Sequence, residues 1–399
     1  MLGMRRVALA ASLVFFLAPA CSSSSDGGGT SPAVDGGGPS ALALACPAGG
    51  TVVTPEGVQG CLGKTGSEIG ACLDGLFAEY LKSHTTLEAL ALLQCYGDHD
   101  NNIEVACHPV SHAIGRDTFA IKGTIDQSFQ ACDQTCHSGC YHGVMERFLR
   151  GDAADQGGHI SFAEIQAKVA TACPATLESR QRFQCLHGLG HAILYYSGYD
   201  LRQSLVLCES TGDEWAKASC RGGVFMENLV AAESDKRDVS PTDYHYPCDA
   251  IDEKYKSDCY VMQTSRMTEM GLTSAQIFVE CRKADIYSTI CIQSLGRDLS
   301  NGARVGDARG VSSTCELGQN ADEVQACTRG VVYALIDNTW DGKFALPYCN
   351  TYTNADAKTY CYAASVVYLQ NVYSKTKQDI SDECAKYAPG VGGCDAAAR

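Results

Sequence analysis

The sequence predicts an all-α fold, a solenoid of about ten helical hairpins of roughly 35 residues, each closed by a disulfide. Cysteines recur in pairs whose first members stand 33 to 41 residues apart along the chain. A period in that range is typical of stacked supersecondary units. The segments that flank the pairs are apolar, and they lack the period-two alternation that half-buried strands show. The repeat therefore favours stacked helices over a sheet.

Each repeat has the same order of parts. A helix-like segment leads into the first cysteine, as in residues 201–208, where Asp200 stands at the N-cap position. A polar loop follows, such as residues 209–214, and the second cysteine then opens another apolar helix, as in residues 361–369. Each repeat is therefore predicted to be a helical hairpin. A disulfide across so short a loop stabilises it by about 2–3 kcal/mol in the chain-entropy account.

The chain has 23 cysteines, and so many cysteines outside the cytoplasm indicate disulfides. Spacings of eight to twelve residues predict ten pairs: Cys61–Cys72, Cys95–Cys107, Cys132–Cys140, Cys173–Cys185, Cys208–Cys220, Cys248–Cys259, Cys281–Cys291, Cys315–Cys327, Cys349–Cys361 and Cys384–Cys394. Cys46 and Cys136 are left over once Cys21 is set aside. Either these two pair with each other, or Cys136 is a free thiol.

The N-terminal segment carries an export pattern. Two arginines precede an apolar run, residues 7–17, and small residues then lead to Cys21. This order resembles the signal peptide of bacterial lipoproteins, and the resemblance covers this segment alone. It implies that residues 1–20 are cleaved, that Cys21 is the lipid anchor, and that the protein lies in the cell envelope. Ser22 points to the outer membrane. The alternative is plain secretion, with Cys21 paired to another cysteine.

The rest of the chain divides into a flexible Ser/Gly linker, residues 21–45, and a Cys-rich helical repeat domain, residues 46–399. The formal net charge is -15 at pH 7. Because phosphate binding needs clustered Lys and Arg, this charge argues against nucleic acid as a partner. Contact with the membrane is expected through the N-terminal lipid only.

Histidines concentrate in repeats two to five, within a His-rich subregion at residues 95–232. Three pairs share the i, i+4 spacing: His108/His112, His142/Glu146 and His187/His191. On a helix this spacing places both side chains on one face, which is how a helix offers two ligands to one metal ion. Later repeats carry other residues in the same zone, so the helical repeat itself does not require the histidines.

The candidate metal ligands are His108, His112, His142, Glu146, His187, His191 and Glu227. Imidazoles and carboxylates suit a transition metal ion, Zn, Fe or Cu, and ligand type alone does not choose among them. We expect one site shared by two or three neighbouring repeats, or a dinuclear site, with the two carboxylates as bridging or terminal ligands. The same repeats hold glycines that allow close helix approach: Gly143, Gly188, Gly222 and Gly223.

Two functions from different classes fit these features. The first is an extracytoplasmic metal-binding lipoprotein, an oxidoreductase or a hydrolase with an open metal position. In such an enzyme a carboxylate not bound to metal, Glu146 or Glu227, would be the general base. The alternative is a cell-surface interaction scaffold whose histidine cluster is structural. Its binding surface would be a concave face lined by tyrosines: Tyr195, Tyr196, Tyr199, Tyr244, Tyr246 and Tyr260.

Two further chemistries concern Cys136. The sequence Cys132-x3-Cys136-His137 is a stretched form of the C-x2-C-H pattern that attaches c-type haem. Cys136 beside His137 and His142 would also suit a nucleophile activated by a neighbouring base. The sequence shows no Ser-His-Asp signature, no P-loop and no dinucleotide-binding glycine motif.

Overall fold

The computed structural model describes residues 46, 52–64, 67–151, 160–230, 236–390 and 394. This part of the chain is all-helical, as the sequence predicts, and turns and disulfides join its helices. The signal segment, Cys21 and the linker lie outside the described residues, so they stay predictions. Within the described ranges, every helix is too short or too polar to cross a membrane.

The helices follow one another along the chain, with a short 3₁₀ segment at Arg282–Tyr287. They are α1 (Pro55–Leu62), α2 (Ser67–Tyr80), α3 (Thr86–His99), α4 (Asn101–Lys122), α5 (Ile125–Ala131), α6 (Thr135–Arg150), α7 (Phe162–Ala172), α8 (Ser179–Tyr196), α9 (Leu201–Cys208), α10 (Glu214–Val230), α11 (Glu253–Tyr260), α12 (Thr264–Glu269), α13 (Ser274–Cys281), α14 (Ser288–Arg304), α15 (Ala308–Cys315), α16 (Ala321–Thr339), α17 (Ala345–Cys349), α18 (Ala355–Asn371) and α19 (Lys377–Tyr387).

Short helices end at the first cysteine of a pair, and longer helices begin well before the second. Helix α9 ends at Cys208, and α10 begins at Glu214, six residues before Cys220. The second helix thus starts earlier than the sequence indicates, because residues 214–219, which precede Cys220, already form its first turns. At the other end of α9, Asp200 is the N-cap, as predicted, and its carboxylate accepts a hydrogen bond from the Gln203 amide.

Nine of the ten predicted disulfides are present. The tenth prediction is wrong, because Cys95 bonds Cys46 and Cys107 bonds Cys136. Both alternatives for the two remaining cysteines are therefore also wrong. They do not pair with each other, and Cys136 is not a free thiol.

The length of α3 explains why Cys95 and Cys107 do not bond each other. This helix continues one turn past Cys95 to His99, so the connection to α4 is the single residue Asp100. In the pairs that do close a hairpin, such as Cys208–Cys220, the first helix ends at the cysteine. Because of the extra turn, Cys95 lies away from the loop. Cys95 instead bonds Cys46, which is outside the hairpin.

Helices α4 and α6 are in backbone contact at glycines. A Cβ added to Gly143 would stand 1.9 Å from the carbonyl oxygen of His112, and one added to Gly115 would stand 2.1 Å from that of Cys140. No side chain fits at these distances, so both positions require glycine. The same reciprocal contact joins α8 to α10, at Gly190 and Gly223, and α14 to α16, at Gly296 and Gly330.

Long helices pack on the long helices that precede and follow them, from α2 to α10 and again from α14 to α18. Helix α16 also packs on α6, where the ring centroids of Trp340 and Tyr141 are 6.4 Å apart. The guanidinium of Arg180, on α8, lies 4.8 Å from the Trp340 ring. Late repeats therefore contact early ones, and a solenoid of ten equivalent hairpins stays a prediction.

Peptide mapping of the non-reduced protein tests the revised disulfides. A protease that cleaves at aspartate separates Cys95 from Cys107 at Asp100. We expect linked peptides that join Cys46 to Cys95 and Cys107 to Cys136. A linked peptide that joins Cys95 to Cys107 would contradict the structure.

Replacing Gly143 by alanine tests the helix contact. The new methyl group would meet the His112 backbone, which cannot move without separating α4 from α6, so we expect a loss of stability of about 1–3 kcal/mol. The matched control is Gly75→Ala in α2, where an added Cβ has nothing within 4 Å. That change should stabilise the helix by about 0.5–1 kcal/mol. Thermal unfolding followed by circular dichroism measures both, and equal effects would refute the contact.

Candidate metal centre

Five histidines from three helices meet where α6 lies against α4 and α8. His108 and His112 stand one turn apart on α4, His142 is on α6, and His187 and His191 stand one turn apart on α8. Two groups of three have candidate donor atoms within 4.8 Å of one another: His108, His112 and His142, and His142, His187 and His191. His142 belongs to both groups, so the arrangement could hold one metal ion or two.

The ring spacings match those of metal-bound imidazoles. Ring centroids are 4.6–5.3 Å apart in the first group and 4.8–5.4 Å apart in the second. Imidazoles arranged tetrahedrally at metal–nitrogen distances of about 2.0–2.1 Å have centroids about 5 Å apart. The ring spacings are therefore compatible with either group around one ion.

Glycine contacts bring the three helices close enough for these spacings. Gly143, next to His142, lets the backbone of α6 contact the His112 carbonyl of α4. From the other side, a Cβ added to Gly188 of α8 would stand 2.9 Å from the Cα of His142. The expected close approach is thus confirmed at Gly143, Gly188 and Gly223. At Gly222 an added Cβ would make only ordinary contact, 3.5 Å from the His187 ring.

Hydrogen bonds fix the protonation of the two α4 histidines. His108 Nδ1 lies 2.7 Å from the backbone carbonyl oxygen of Cys136, and His112 Nδ1 lies 2.7 Å from Oε1 of Glu146. Both partners are acceptors, so each Nδ1 carries the ring proton. In neutral rings the two Nε2 atoms are unprotonated, and they face each other at 3.0 Å. Two lone pairs repel at this distance unless a cation lies beside them.

Glu146 is ionised and both of its oxygens are engaged. Oε1 accepts from His112, and Oε2 accepts from Arg116 at 2.7 Å. Burial alone would raise the pKa of Glu146, but the charges and hydrogen bonds of His112 and Arg116 lower it to about 2. A carboxylate behind a histidine orients the ring and makes its other nitrogen a better metal ligand.

Glu227 repeats this arrangement in the second group. Its Oε2 accepts from His191 Nδ1 at 2.8 Å, and its Oε1 accepts from the Tyr199 hydroxyl at 3.0 Å. Glu146 and Glu227, which the sequence predicts as ligands, therefore lie behind the histidines. Although Glu146 follows His142 by one turn of α6, its carboxylate reaches across to α4, and helical spacing alone does not reveal that.

A sulfur atom lies at the edge of the second group. His187 Nε2 is 3.4 Å from Sδ of Met226, and the His187 ring also hydrogen-bonds the backbone of Ser219. Thioether sulfur is a soft donor that copper(I) accepts readily. The donor atoms near the second group are thus nitrogen and sulfur.

His142 differs from the other four histidines. Its side chain is 2% exposed, and neither ring nitrogen has a hydrogen-bond partner among the described residues. Nε2 of His191 is buried in the same way. Because buried polar atoms are nearly always hydrogen-bonded, three such nitrogens in one place indicate a ligand site.

Burial keeps three of the histidines neutral. Burial, followed by the neighbouring histidines, holds the pKa of His108 and of His142 well below the ordinary value. Burial and then His191 lower the pKa of His187 to about 3. Neutral imidazoles keep the lone pairs that a metal ion needs.

A left-handed turn presents the Cys136 carbonyl to His108. Cys136, His137 and Ser138 have φ angles of 51°, 56° and 64°. Each non-glycine residue in this conformation costs about 1–2 kcal/mol, so the surrounding structure must hold the turn in place. Strain of this kind is concentrated at functional sites.

Two disulfides hold that turn: Cys107–Cys136 and Cys132–Cys140. Covalent haem attachment needs free Cys132 and Cys136 thiols, and nucleophilic catalysis needs a Cys136 thiolate. Since both cysteines are oxidised, the structure overturns both alternatives.

A third group of potential donors is Cys46, Cys95 and His99. The two sulfurs form a disulfide, and His99 Nδ1 donates to the Cys95 carbonyl oxygen at 2.8 Å. Metal binding requires a thiolate, which a disulfide does not provide. This group is therefore not a metal site in the oxidised protein.

The pair α14 and α16 shows the same helix contact without histidines. Register counted from the glycines places Gln293 where α4 has His112, and Arg329 where α6 has His142. Arg329 Nε donates to Oε1 of Gln293 at 2.7 Å. The late pair thus satisfies its polar groups directly, whereas the equivalent position of the early pair holds unpartnered nitrogens.

A cavity of about 400 Å³ lies close to the second group, lined in part by Phe183, Trp215 and Asp337. The Phe183 ring stacks on His187 with a centroid distance of 5.6 Å. One side chain therefore separates this cavity from the histidines.

No protein-family model, curated protein or solved structure matches the chain. The site must therefore be interpreted from its own geometry.

The sequence analysis did not predict that Arg116, Met226 and Tyr199 lie at the centre. Arg116 follows His112 by four residues, so the helical spacing rule could have found it. Met226 precedes Glu227 directly, but nothing in the sequence shows that its sulfur lies near His187. Tyr199 is in the turn after α8, and its contact with Glu227 depends on the packing of α10 against α8.

The carboxylates of Glu146 and Glu227, which lie behind the histidines, should raise the affinity for metal. Glu227→Gln keeps an acceptor for His191 but removes the negative charge, so we expect metal binding about 10–100-fold weaker, measured by competition with a chelator. The matched control is Glu79→Gln, an exposed residue of α2 that pairs with Lys82. Equal affinities for the two variants would contradict the role of Glu227.

Proposed function

We propose that this chain is a copper-binding lipoprotein of the bacterial cell envelope, with its metal centre held between helices of a disulfide-closed repeat array. The facing Nε2 atoms of His108 and His112, 3.0 Å apart, carry the proposal. Their Nδ1 atoms already donate to Cys136 and Glu146. Burial holds the pKa of His108 well below its ordinary value, which disfavours a proton on that ring, and a metal ion would relieve the repulsion.

The donor set favours copper. Non-haem iron sites usually include a carboxylate ligand, but Glu146 and Glu227 here lie behind the histidines. Imidazole nitrogen suits both zinc and copper, and the sulfur of Met226 near His187 favours copper. Zinc is the second candidate, and metal analysis separates the two.

Three nitrogen donors leave a fourth coordination position open, which is the arrangement of catalytic rather than closed structural sites. His108 and His112 are partly exposed, whereas His191 is 1% exposed. A small molecule would therefore reach the first group. Because each carboxylate oxygen already accepts a hydrogen bond, we assign Glu146 and Glu227 to ligand positioning rather than general base catalysis. Copper with an open position supports an oxidoreductase.

The tyrosines give the scaffold alternative less support. Tyr196, Tyr199 and Tyr260 are buried, and Tyr195 is only partly exposed. These rings are buried or partly buried in the protein and do not line an open surface. The interaction scaffold therefore stays the alternative that a metal-free protein would favour.

Metal analysis of the full chain tests the proposal. The protein would be purified from an oxidising compartment without chelator or histidine tag, and then titrated with copper and zinc. We expect stoichiometric copper, and at least about 100-fold weaker binding in His112→Ala or His191→Ala, since each variant loses a ligand.

The matched control is His84→Gln, outside the cluster, which should bind copper like the wild type. Folded protein that binds neither copper nor zinc would refute the proposal. Tight zinc binding without copper would keep the metal centre and favour a hydrolase.

A further inference from the structure

We propose that His142 bridges two metal ions as an imidazolate, with one ion on each ring nitrogen. This inference rests on the proposed function and adds a dinuclear centre to it. One ion would be held by His108, His112 and His142, and the other by His142, His187 and His191. The bridge is thus assigned to a histidine and not to either of the carboxylates.

The position of His142 supports the bridge. It is the member shared by the two groups of potential donors. Its ring centroid lies 5.2–5.3 Å from those of the α4 histidines and 4.8–5.4 Å from those of the α8 histidines. A single side chain on the middle helix is therefore shared by a histidine pair from each neighbouring helix.

The other four histidines provide an internal comparison. A histidine that ligates through one nitrogen nearly always donates the proton on its other nitrogen to a carboxylate or a carbonyl. Each of the four has such an acceptor: Cys136 for His108, Glu146 for His112, Ser219 for His187 and Glu227 for His191.

His142 has no such acceptor among the described residues, although both its nitrogens are buried. A neutral imidazole always carries one N–H. If His142 bound one ion, that N–H would stay buried without a partner, which is unfavourable. Binding a second ion in place of the proton leaves neither nitrogen unsatisfied.

The proton balance is simple. Each ring nitrogen donates one lone pair to one ion, and the N–H proton leaves to solvent when the second ion binds. No electron is transferred in this step. The negative charge of the imidazolate offsets part of the positive charge that two ions bring into a buried site. Glu146 and Glu227, one behind each group, offset more of it.

Spin counting by electron paramagnetic resonance tests the bridge in the full wild-type chain. Copper(II) ions joined by an imidazolate couple magnetically, so the integrated signal at low temperature should fall well below the copper content. Protein loaded with one copper and one zinc should show the full copper signal, since zinc is diamagnetic. A full signal from two bound coppers, or a limit of one ion per chain, would overturn the bridge.

Replacement of the ring identifies the bridging group. His142→Ala should bind copper ions that give uncoupled signals. Added imidazole can fill the vacated space and bridge, so it should restore the coupling. Added 1-methylimidazole has one blocked nitrogen and should not restore it. Coupling that persists in His142→Ala without imidazole would show that another group is the bridge.

The two proposals fail differently. If the wild type binds no metal, the proposed function fails, and the bridge fails with it. If it binds copper without coupling, only the bridge fails. The wild-type spin count decides this even if His142→Ala does not fold, which circular dichroism would show. His84→Gln is the control, and it should couple like the wild type.

Discussion

Backbone contact between helices at glycines sets the spacing on which the centre depends. An imidazole reaches only a few ångströms from its own helix, so ligands from neighbouring helices can share an ion only if the helix axes are close. Gly143 seats α6 on α4, and Gly188 seats α8 on α6. A β-carbon at Gly143 would push α6 off α4, and the histidine groups would then separate. The glycines therefore position the histidine cluster.

Among the described helices the same reciprocal contact joins three pairs, and histidines of the cluster lie at two of them. In the pair α14 and α16 the equivalent side chains, Gln293 and Arg329, bond each other. This comparison within one chain separates what the scaffold needs from what a ligand needs. The scaffold needs glycines and satisfied polar groups. The buried, unpartnered nitrogens of His142 do not stabilise helix packing, and a bound cation would account for them.

Covalent links hold the less favourable conformations in place. The left-handed turn at residues 136–138 is fixed by two disulfides, one of which joins it to α4. That turn delivers the carbonyl that orients His108. The disulfide-held turn therefore positions the ring of His108, and Glu146 and Glu227 position the rings of His112 and His191. Disulfides of this kind persist in an oxidising compartment.

The sequence by itself determined the helical class, nine disulfides and the five histidines, because each depends on short-range spacing along the chain. Helical periodicity shows which side chains share a face, and cysteines eight to twelve residues apart close a local hairpin. Only the tertiary structure decided that Cys95 bonds Cys46, that Glu146 and Glu227 lie behind the histidines, and that His142 belongs to both groups. These features depend on how far α3 extends and on which helix faces which. Contacts between helices decide the second, and the sequence pattern within one repeat contains neither.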